Sequence, residues 1–251
     1  MRLGRLLFAA ALALVLHRSE AAAPVPRVVT VQPSAAEVPA NLLRISITFA
    51  APVATAVLPR LALAYAGGRP LPEPFLEQEL WSPSGKILTV LLHPGRVKSG
   101  LVAREELGPV LAAGDDIVLT LDGRTIQRWQ VRAEDRCGPV AAAWKLAPVR
   151  AGSRDALVVT LDGAIDGRDA GYLAIADGQH RRVEGRVQLK DGERVWTFTP
   201  RRPWRKSEYQ LLVRATLEDP AGNRLGGHFE TALGESPAPV ADVSIAFAPV
   251  R

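Results

Sequence analysis

The segment "LRISITFAAPV" at residues 43–53 contains the pattern that decides the fold. Ile45, Ile47 and Phe49 lie at every second position, and a serine and a threonine separate them. Successive side chains of a β-strand point to opposite faces, so this spacing predicts a strand with one buried face. The small residues and the proline that follow predict that the strand ends there.

Similar alternation recurs along the rest of the chain. The further runs lie at residues 61–65, 88–92, 117–121, 127–131, 157–161, 183–189, 196–198, 209–213, 229–233 and 243–247. They are short and bounded by Gly, Pro, Asp and Asn, which is typical of half-buried strands in antiparallel sheets. The helical turn that the sequence predicts spans residues 103–111, and Pro109 limits it. The sequence therefore predicts a nearly all-β protein.

The two halves of the chain resemble each other. Three pairs of segments correspond: "LRISITFAAPV" with "ALVVTLDGAID" (156–166), "SPSGKILTVLLHPG" (82–95) with "LKDGERVWTFTPRR" (189–202), and "LAAGDDIVLTLDG" (111–123) with "PWRKSEYQLLVRA" (203–215). Self-similarity at an offset of roughly 110 residues indicates two tandem copies of one sandwich rather than a single barrel.

Two longer stretches resemble a known family. "VVTVQPSAAEVPANLLRISITFAAPV" (28–53) is similar to the opening of bacterial Ig-like domains of the S-layer-protein type, with a proline turn, a polar spacer and a strand that ends in Phe. "FTPRRPWRKSEYQLLVRATLEDPAGNRL" (198–225) is similar to their later part, with a Tyr-centred strand before Asp-x-x-Gly-Asn. The first half lacks that last turn. The resemblance implies extracellular spacer, adhesive or surface-layer modules, and no catalytic activity.

The N-terminus has the composition of a secretory signal. Arg2 and Arg5 precede an apolar run at residues 6–16, and Ser19 and Ala21 supply the small residues of a cleavage site. The run is too short to span a bilayer, which needs about 20 apolar residues, and a retained N-terminal anchor is the alternative. We expect cleavage after Ala21, export to the periplasm or the cell surface, and no transmembrane segment in the mature chain.

These patterns predict the division of the chain. Its parts are a signal peptide (1–21), a first Ig-like β-sandwich (22–132), a linker (133–143), a second Ig-like β-sandwich (144–234) and a C-terminal tail (235–251). Val243, Ile245 and Phe247 alternate within the tail, which predicts an edge strand. That strand is expected to join the chain's own second domain, with a partner's sheet as the alternative.

Composition and the cysteine count limit the classes of partner. Without residues 1–21 the chain has 28 basic and 25 acidic residues, and a net charge of +3 is too mild to predict nucleic-acid binding, so none is expected. Cys137 is the only cysteine, so an intramolecular disulfide is excluded. A nucleophilic role for Cys137 would need a paired histidine that the sequence does not place, and a small buried or linker thiol is expected instead.

The segment "LEDPAGNRLGGHFET" (217–231) has the residues of either a metal loop or a turn. Residues 219–223 are Asp-Pro-Ala-Gly-Asn. The proline fixes φ, and the Gly-Asn pair tolerates positive φ. A calcium loop needs several oxygen ligands at close alternate spacing, and this segment lacks them. The segment is therefore predicted to be a turn, and neither a metal site nor a cofactor is predicted for the chain.

A basic segment is the candidate binding site. In "TPRRPWRKSEY" (199–209), four cations surround one aromatic residue, the members being Arg201, Arg202, Trp204, Arg205 and Lys206. Cations interleaved with an aromatic ring can bind a polyanion by charge and stacking. The alternative is that Trp204 packs in the sandwich while the charges lie in water.

Three carboxylates, Asp162, Asp166 and Asp169, cluster in "LDGAIDGRDAG" (161–171). Their spacings of four and three do not fit the alternate ligands of a calcium loop, so a solvated loop is predicted and a structural calcium site is the alternative.

The function predicted from these features is that of a non-enzymatic module. No nucleophile elbow, phosphate loop or dinucleotide fingerprint occurs, and the histidines lack zinc-like spacing. We expect a secreted or periplasmic protein with a structural or interaction role in the cell envelope, whose partner is an envelope protein or polysaccharide. The alternative is a periplasmic β-sandwich protein that binds a small ligand or a metal.

Overall fold

The computed structural model of the protein describes residues 26–98, 101–225, 227 and 241–251. Its strands are β1 Val28–Gln32, β2 Glu37–Pro39, β3 Arg44–Phe49, β4 Leu61–Tyr65, β5 Leu80–Trp81, β6 Ile87–Leu91, β7 Asp116–Leu121, β8 Arg124–Arg132, β9 Lys145–Leu146, β10 Leu157–Thr160, β11 Leu173–Asp177, β12 Gly185–Lys190, β13 Val195–Pro200, β14 Tyr209–Val213 and β15 Val243–Phe247. The α-helices are α1 Pro94–Val97 and α2 Val102–Leu107, and short 3-10 helices lie at Leu58–Arg60, Ala141–Ala143 and Gly167–Tyr172. The predicted all-β class is confirmed. The predicted signal peptide and the strand predicted at 229–233 lie outside the described residues.

The first half of the chain forms one β-sandwich. One sheet has the order β1-β3-β6-β5, and the other has the order β2-β8-β7-β4. Ile45, Val90, Leu119 and Val131 come from both sheets and lie in one buried apolar cluster. Burial of alternating apolar residues between two sheets is the main favourable contribution to the stability of such a sandwich.

The second half forms another β-sandwich with its own core. Its sheets have the orders β12-β13-β10-β9 and β11-β14-β15. Aromatic residues fill the centre: the Trp204 ring lies 6.0 Å from Phe198, 5.1 Å from Tyr209 and 5.8 Å from Phe247, measured between ring centroids. Tilted and edge-to-face contacts at these separations favour aromatic packing.

The two sandwiches share one topology, in which every strand of the second has a counterpart in the first. β3 pairs with β6 as β10 pairs with β13, and β4-β7-β8 are neighbours as β11-β14-β15 are. β2 lies parallel to β8 in the first sandwich, and a parallel bridge joins Arg150 to Val250 in the second. This agreement in strand order is the structural form of the repeat in the sequence.

The C-terminal strand β15 belongs to this chain's own second sandwich. It pairs antiparallel with β14 and occupies the place that β8 occupies in the first sandwich. Asp122 and Gly123 alone connect β7 to β8, whereas residues 214–242 separate β14 from β15. The segment predicted to be a tail thus supplies the second sandwich with one of its repeated strands.

Two short helices interrupt the first sandwich between β6 and β7. The helical turn predicted at residues 103–111 corresponds to α2, which ends at Leu107 because Gly108 adopts a φ of +74°. The sequence did not predict α1, since four residues are too few to show a helical period. Arg96 of α1 is buried, and its guanidinium donates to the carbonyl oxygens of Gly108 and Pro109, both at 3.0 Å. Within the described residues, no helix is long and apolar enough to cross a membrane.

Candidate functional site

Charged side chains meet where the two sandwiches contact each other, and this contact is called the junction below. Arg44 begins β3 of the first sandwich, and its Nε lies 2.5 Å from Oδ2 of Asp166 in the second. Its second amino group donates to the carboxylate of Glu218. Burial lowers the pKa of Arg44, but the two carboxylates outweigh this effect and raise it above its ordinary value. Arg44 therefore joins the two sandwiches through buried ion pairs.

The second sandwich positions the junction carboxylates through backbone hydrogen bonds. Asp166 Oδ1 accepts a hydrogen bond from the backbone N–H of Arg168 at 2.9 Å and caps the 3-10 helix that follows. Asp169 Oδ2 accepts from the backbone N–H of Glu218, also at 2.9 Å. Burial, the largest influence on Asp169, raises its pKa to about 6, and the nearby negative charge of Asp166 adds to the increase. These contacts hold the 3-10 helix against the chain segment that contains Glu218.

The turn predicted from the Asp-x-x-Gly-Asn sequence is present. Asp219 Oδ1 accepts from the backbone N–H of Asn223 at 2.9 Å, and Oδ2 accepts from its side-chain Nδ2 at 2.8 Å. The turn is also part of the junction, because the Leu43 N–H donates to the Pro220 carbonyl at 3.0 Å. Burial outweighs the hydrogen bonds from Asn223 and raises the pKa of Asp219 to about 7. The sequence predicted the turn but not its contact with the first sandwich.

The segment predicted to be a linker is bonded to both sandwiches. The Asp135 carbonyl accepts hydrogen bonds from Nδ2 of Asn41 at 2.7 Å and from Nδ2 of Asn223 at 3.0 Å. The Asp135 N–H donates to Oδ1 of Asn41 at 2.9 Å. A Cβ placed on Gly138 would lie 1.9 Å from the Arg224 carbonyl oxygen, so only glycine fits there. Cys137 lies beside these residues and is exposed.

A β-hairpin turn of the second sandwich makes a further contact with the first. Glu193 lies between β12 and β13 and is 3% exposed. Its carboxylate accepts from the Ser34 backbone N–H at 2.9 Å and from Nε2 of Gln32 at 3.4 Å. A Cβ on the neighbouring Gly192 would lie 2.7 Å from Cβ of Ala35, which shows how closely the two backbones approach.

Two of the three carboxylates in the acidic segment predicted to be a solvated loop are buried. Asp166 and Asp169 belong to the junction and are 6% and 5% exposed. Asp162 faces other partners, accepting from the Val140 N–H at 2.9 Å and from Trp144 Nε1 at 2.8 Å. The prediction of a solvated loop was wrong for Asp166 and Asp169, because carboxylates with charged or N–H partners can be buried, whereas Asp162 is exposed as predicted. In the part of the chain that the structure describes, no group of three or more His, Cys, Asp or Glu side chains could hold a metal ion.

The basic segment forms one side of a groove on the second sandwich, called the basic groove. Its volume is about 710 Å³, and its cationic lining residues are Arg181, Arg182, Arg201, Arg202 and Arg205. Lys206 is exposed beside it. Trp204 is 2% exposed and donates from Nε1 to the Asp155 carbonyl at 2.8 Å. The predicted stacking role of Trp204 is therefore corrected, because its ring packs in the core and cannot lie flat against a ligand.

Ion pairs inside the basic groove leave an excess of positive charge. Asp177 binds Arg181 at 2.8 Å, and Glu184 binds Arg201 at 3.0 Å. Of the five arginines that line the groove, Arg182, Arg202 and Arg205 have no ion pair among the described residues. Because the two carboxylates of the groove are already paired with arginines, these three guanidinium groups determine its charge.

The chain is similar to several solved structures at low sequence identity. No protein-family model and no curated protein matches it. LD transpeptidase LdtMt1 in complex with imipenem is 12% identical with a TM-score of 0.29, and the match covers 66% of this chain and 62% of that chain. An L,D-transpeptidase from Mycobacterium smegmatis is 13% identical with a TM-score of 0.28, covering 66% and 61%. Domains 5–6 of the S-layer protein SbsC are 11% identical with a TM-score of 0.25, covering 90% and 100%.

The prediction that the chain is not an enzyme is contradicted, because two of these similar structures are L,D-transpeptidases. The prediction rested on the absence of short motifs, and an active site can also be assembled from residues far apart in sequence. The chain spans about three fifths of those two proteins. At these TM-scores none of the three likenesses assigns an activity or a partner to this chain.

Proposed function

We propose that the protein is an exported structural and interaction module of the cell envelope, in which two Ig-like sandwiches act as one unit. The single observation that carries this proposal is the junction, where buried Arg44 contacts Asp166 and Glu218 of the other sandwich. Charged groups that are buried and bonded to one another permit few alternative arrangements of the surfaces that carry them. A unit with a fixed angle between its domains suits a spacer or a presenting role.

The contacts that flank Arg44 support the same proposal. Glu193 bonds to the loop after β1, and Asp135 bonds to Asn41 and Asn223 in the two sandwiches. Contacts at separate points resist rotation about any one of them. We therefore infer that the segment at 133–143 is a bonded connection rather than a free hinge.

The domain limits are part of this proposal. We infer a first sandwich at 22–132, as the sequence predicts, and a second that runs from 144 to 250 instead of ending at 234. The strand β15 supports the longer second domain, because it pairs with β14 at the position equivalent to β8.

Export of the chain is tested by cell fractionation. The full chain, with a C-terminal tag, is expressed in a bacterial host beside a variant that lacks residues 2–21. We expect the full chain in the periplasm or the medium with Ala22 as its first residue, and the shortened variant in the cytoplasm. An uncleaved full chain in the cytoplasmic fraction would contradict export.

The alternative of a ligand-binding β-sandwich protein is supported by one observation, the basic groove. Its volume of about 710 Å³ falls within the ~300–1,000 Å³ that small-ligand sites occupy. The two functions are compatible, since an envelope module can bind a component of the envelope through a groove on one domain.

A further inference from the structure

We propose that the basic groove binds acidic polysaccharide, with the anionic groups of the sugar chain on Arg182, Arg202 and Arg205. The inference rests on the proposed function, because export would bring the groove into contact with the anionic polymers outside the cytoplasm. It deepens that function by naming the chemistry of the ligand.

The groove is preformed by hydrogen bonds that hold the two loops around it. The Arg201 N–H donates to the Glu184 carbonyl at 2.8 Å and joins the loop before β12 to the end of β13. The Trp204 N–H donates to the Ser153 carbonyl at 2.8 Å, and the Arg205 N–H donates to the Tyr209 hydroxyl at 2.9 Å. A ligand that binds a preformed site loses less free energy to ordering the protein.

The three arginines without an ion pair give the groove its chemical preference. A guanidinium donates two parallel hydrogen bonds to a carboxylate, sulfate or phosphate, which a lysine cannot do in the same geometry. Arg182 comes from the loop before β12, whereas Arg202 and Arg205 come from the loop after β13. Their guanidinium groups therefore border the groove from two loops, which suits a ligand with several anionic groups along a chain.

The lack of an accessible ring favours a sugar polymer over single-stranded nucleic acid. Trp204 and Tyr209, the aromatic residues among those that line the groove, are 2% and 5% exposed. Proteins that bind single strands without sequence preference commonly stack bases on exposed aromatic rings. A polysaccharide that carries uronate or sulfate groups can be bound by charge and hydrogen bonds alone.

Calorimetric titration tests the proposal on the purified chain without residues 1–21. The probes are polygalacturonate oligomers for carboxylates, dextran sulfate for sulfates, neutral dextran as the uncharged control and oligo-dT as single-stranded nucleic acid. We expect at least one of the acidic polysaccharides to bind. Its affinity should decrease as the salt concentration is raised from about 50 to about 200 mM. The two acidic probes also distinguish carboxylate from sulfate as the preferred group.

A pair of matched variants separates the groove from net charge. Arg182→Gln, Arg202→Gln and Arg205→Gln are combined in one variant, and Arg27→Gln, Arg124→Gln and Arg128→Gln in another, all six positions being exposed. Both variants lose the same charge, and we expect on the order of 10-fold weaker binding for the groove variant alone.

Three results would overturn the proposal: no binding of either acidic polysaccharide, an equal loss of affinity in both variants, or tighter binding of oligo-dT than of either acidic polysaccharide. None of them would alter the fractionation result, so a failure of the groove is distinguishable from a failure of export.

Discussion

The junction and the basic groove use the same residue types in opposite environments. At the junction, Arg44 is 10% exposed and touches two carboxylates from another part of the chain. In the groove, Arg202 is exposed and has no ion pair among the described residues. A buried charge that loses its partner is costly, whereas a solvated charge can be removed with little effect on folding. This contrast is consistent with the proposals that the junction fixes the arrangement of the domains and that the groove binds a ligand.

The largest expected effect comes from Arg44→Leu. The change removes the cation that Asp166 and Glu218 share and leaves each with one more exposed arginine, Arg168 and Arg224, each at 3.2 Å. Loss of the buried partner of a buried ion pair is strongly destabilising. Because separation of the sandwiches would let water reach both carboxylates, we expect a loss of about 3 kcal/mol in the free energy of unfolding, near the lower end for such changes. Urea denaturation followed by tryptophan fluorescence measures it.

Arg60→Leu is the matched control, since Arg60 also binds a carboxylate, Asp122 at 2.7 Å, but within the first sandwich and nearer to solvent. We expect a much smaller change there. Equal losses in the two variants would show that the junction is no more than another surface ion pair. A split of the Arg44→Leu transition into two steps would sharpen the comparison by showing that the junction couples the unfolding of the sandwiches.

Much of the fold could be predicted from the sequence because it depends on local patterns. Period-two alternation located β3, β7 and β14, and the repeat predicted two sandwiches with corresponding strands. The alternation of Val243, Ile245 and Phe247 also predicted β15, although the residues that precede it gave no sign that it occupies the place equivalent to that of β8. The helix α1 was missed since one turn carries no period.

The junction could not be predicted, because its partners are far apart in sequence. Arg44 and Glu218 are separated by 174 positions. Period two also assigns Arg44 and Ser46 to the face of β3 opposite the core, where exposure is expected. Ser46 is 5% exposed, and the space beside it is lined by Asp166 and Pro220 of the second sandwich. Alternation identifies the two faces of a strand but does not show that another domain covers the polar one.

The next effect is a pH dependence that Asp219 adds to the junction. Its pKa is raised from 3.8 to about 7, so the folded protein holds a proton that the unfolded chain has lost between these values. The contribution of protonated Asp219 to the free energy of unfolding is fully present below about pH 4. It decreases as the pH rises and is lost once the pH passes about 7. The slope is up to about 1.4 kcal/mol per pH unit within that window.

Asp219→Asn should remove that slope, and urea denaturation at intervals from pH 5 to pH 7 measures it. As the pH rises, we expect the free energy of unfolding of the wild type to fall by about 1 kcal/mol per pH unit more than that of the variant. A constant cost of the new amide would lower the whole curve of the variant without changing its slope. Asp122→Asn is the control, because its Arg60 hydrogen bond lowers the pKa of Asp122 and it titrates below this window. Parallel curves for wild type and Asp219→Asn would show that the buried carboxylate is ionised in the folded protein throughout.

The smallest expected effect belongs to the basic groove, where Arg202→Gln and Arg205→Gln should change stability little. Both side chains are exposed and neither has an ion pair among the described residues, so each substitution should stay within about 0.5 kcal/mol of wild type. Differential scanning calorimetry at low and moderate salt measures the change in melting temperature. Because clustered cations repel each other, we expect any change to be a slight stabilisation that disappears as salt screens the charges. A loss above about 1 kcal/mol in either variant would mean that the groove arginines support the fold, and the division of roles between junction and groove would then fail.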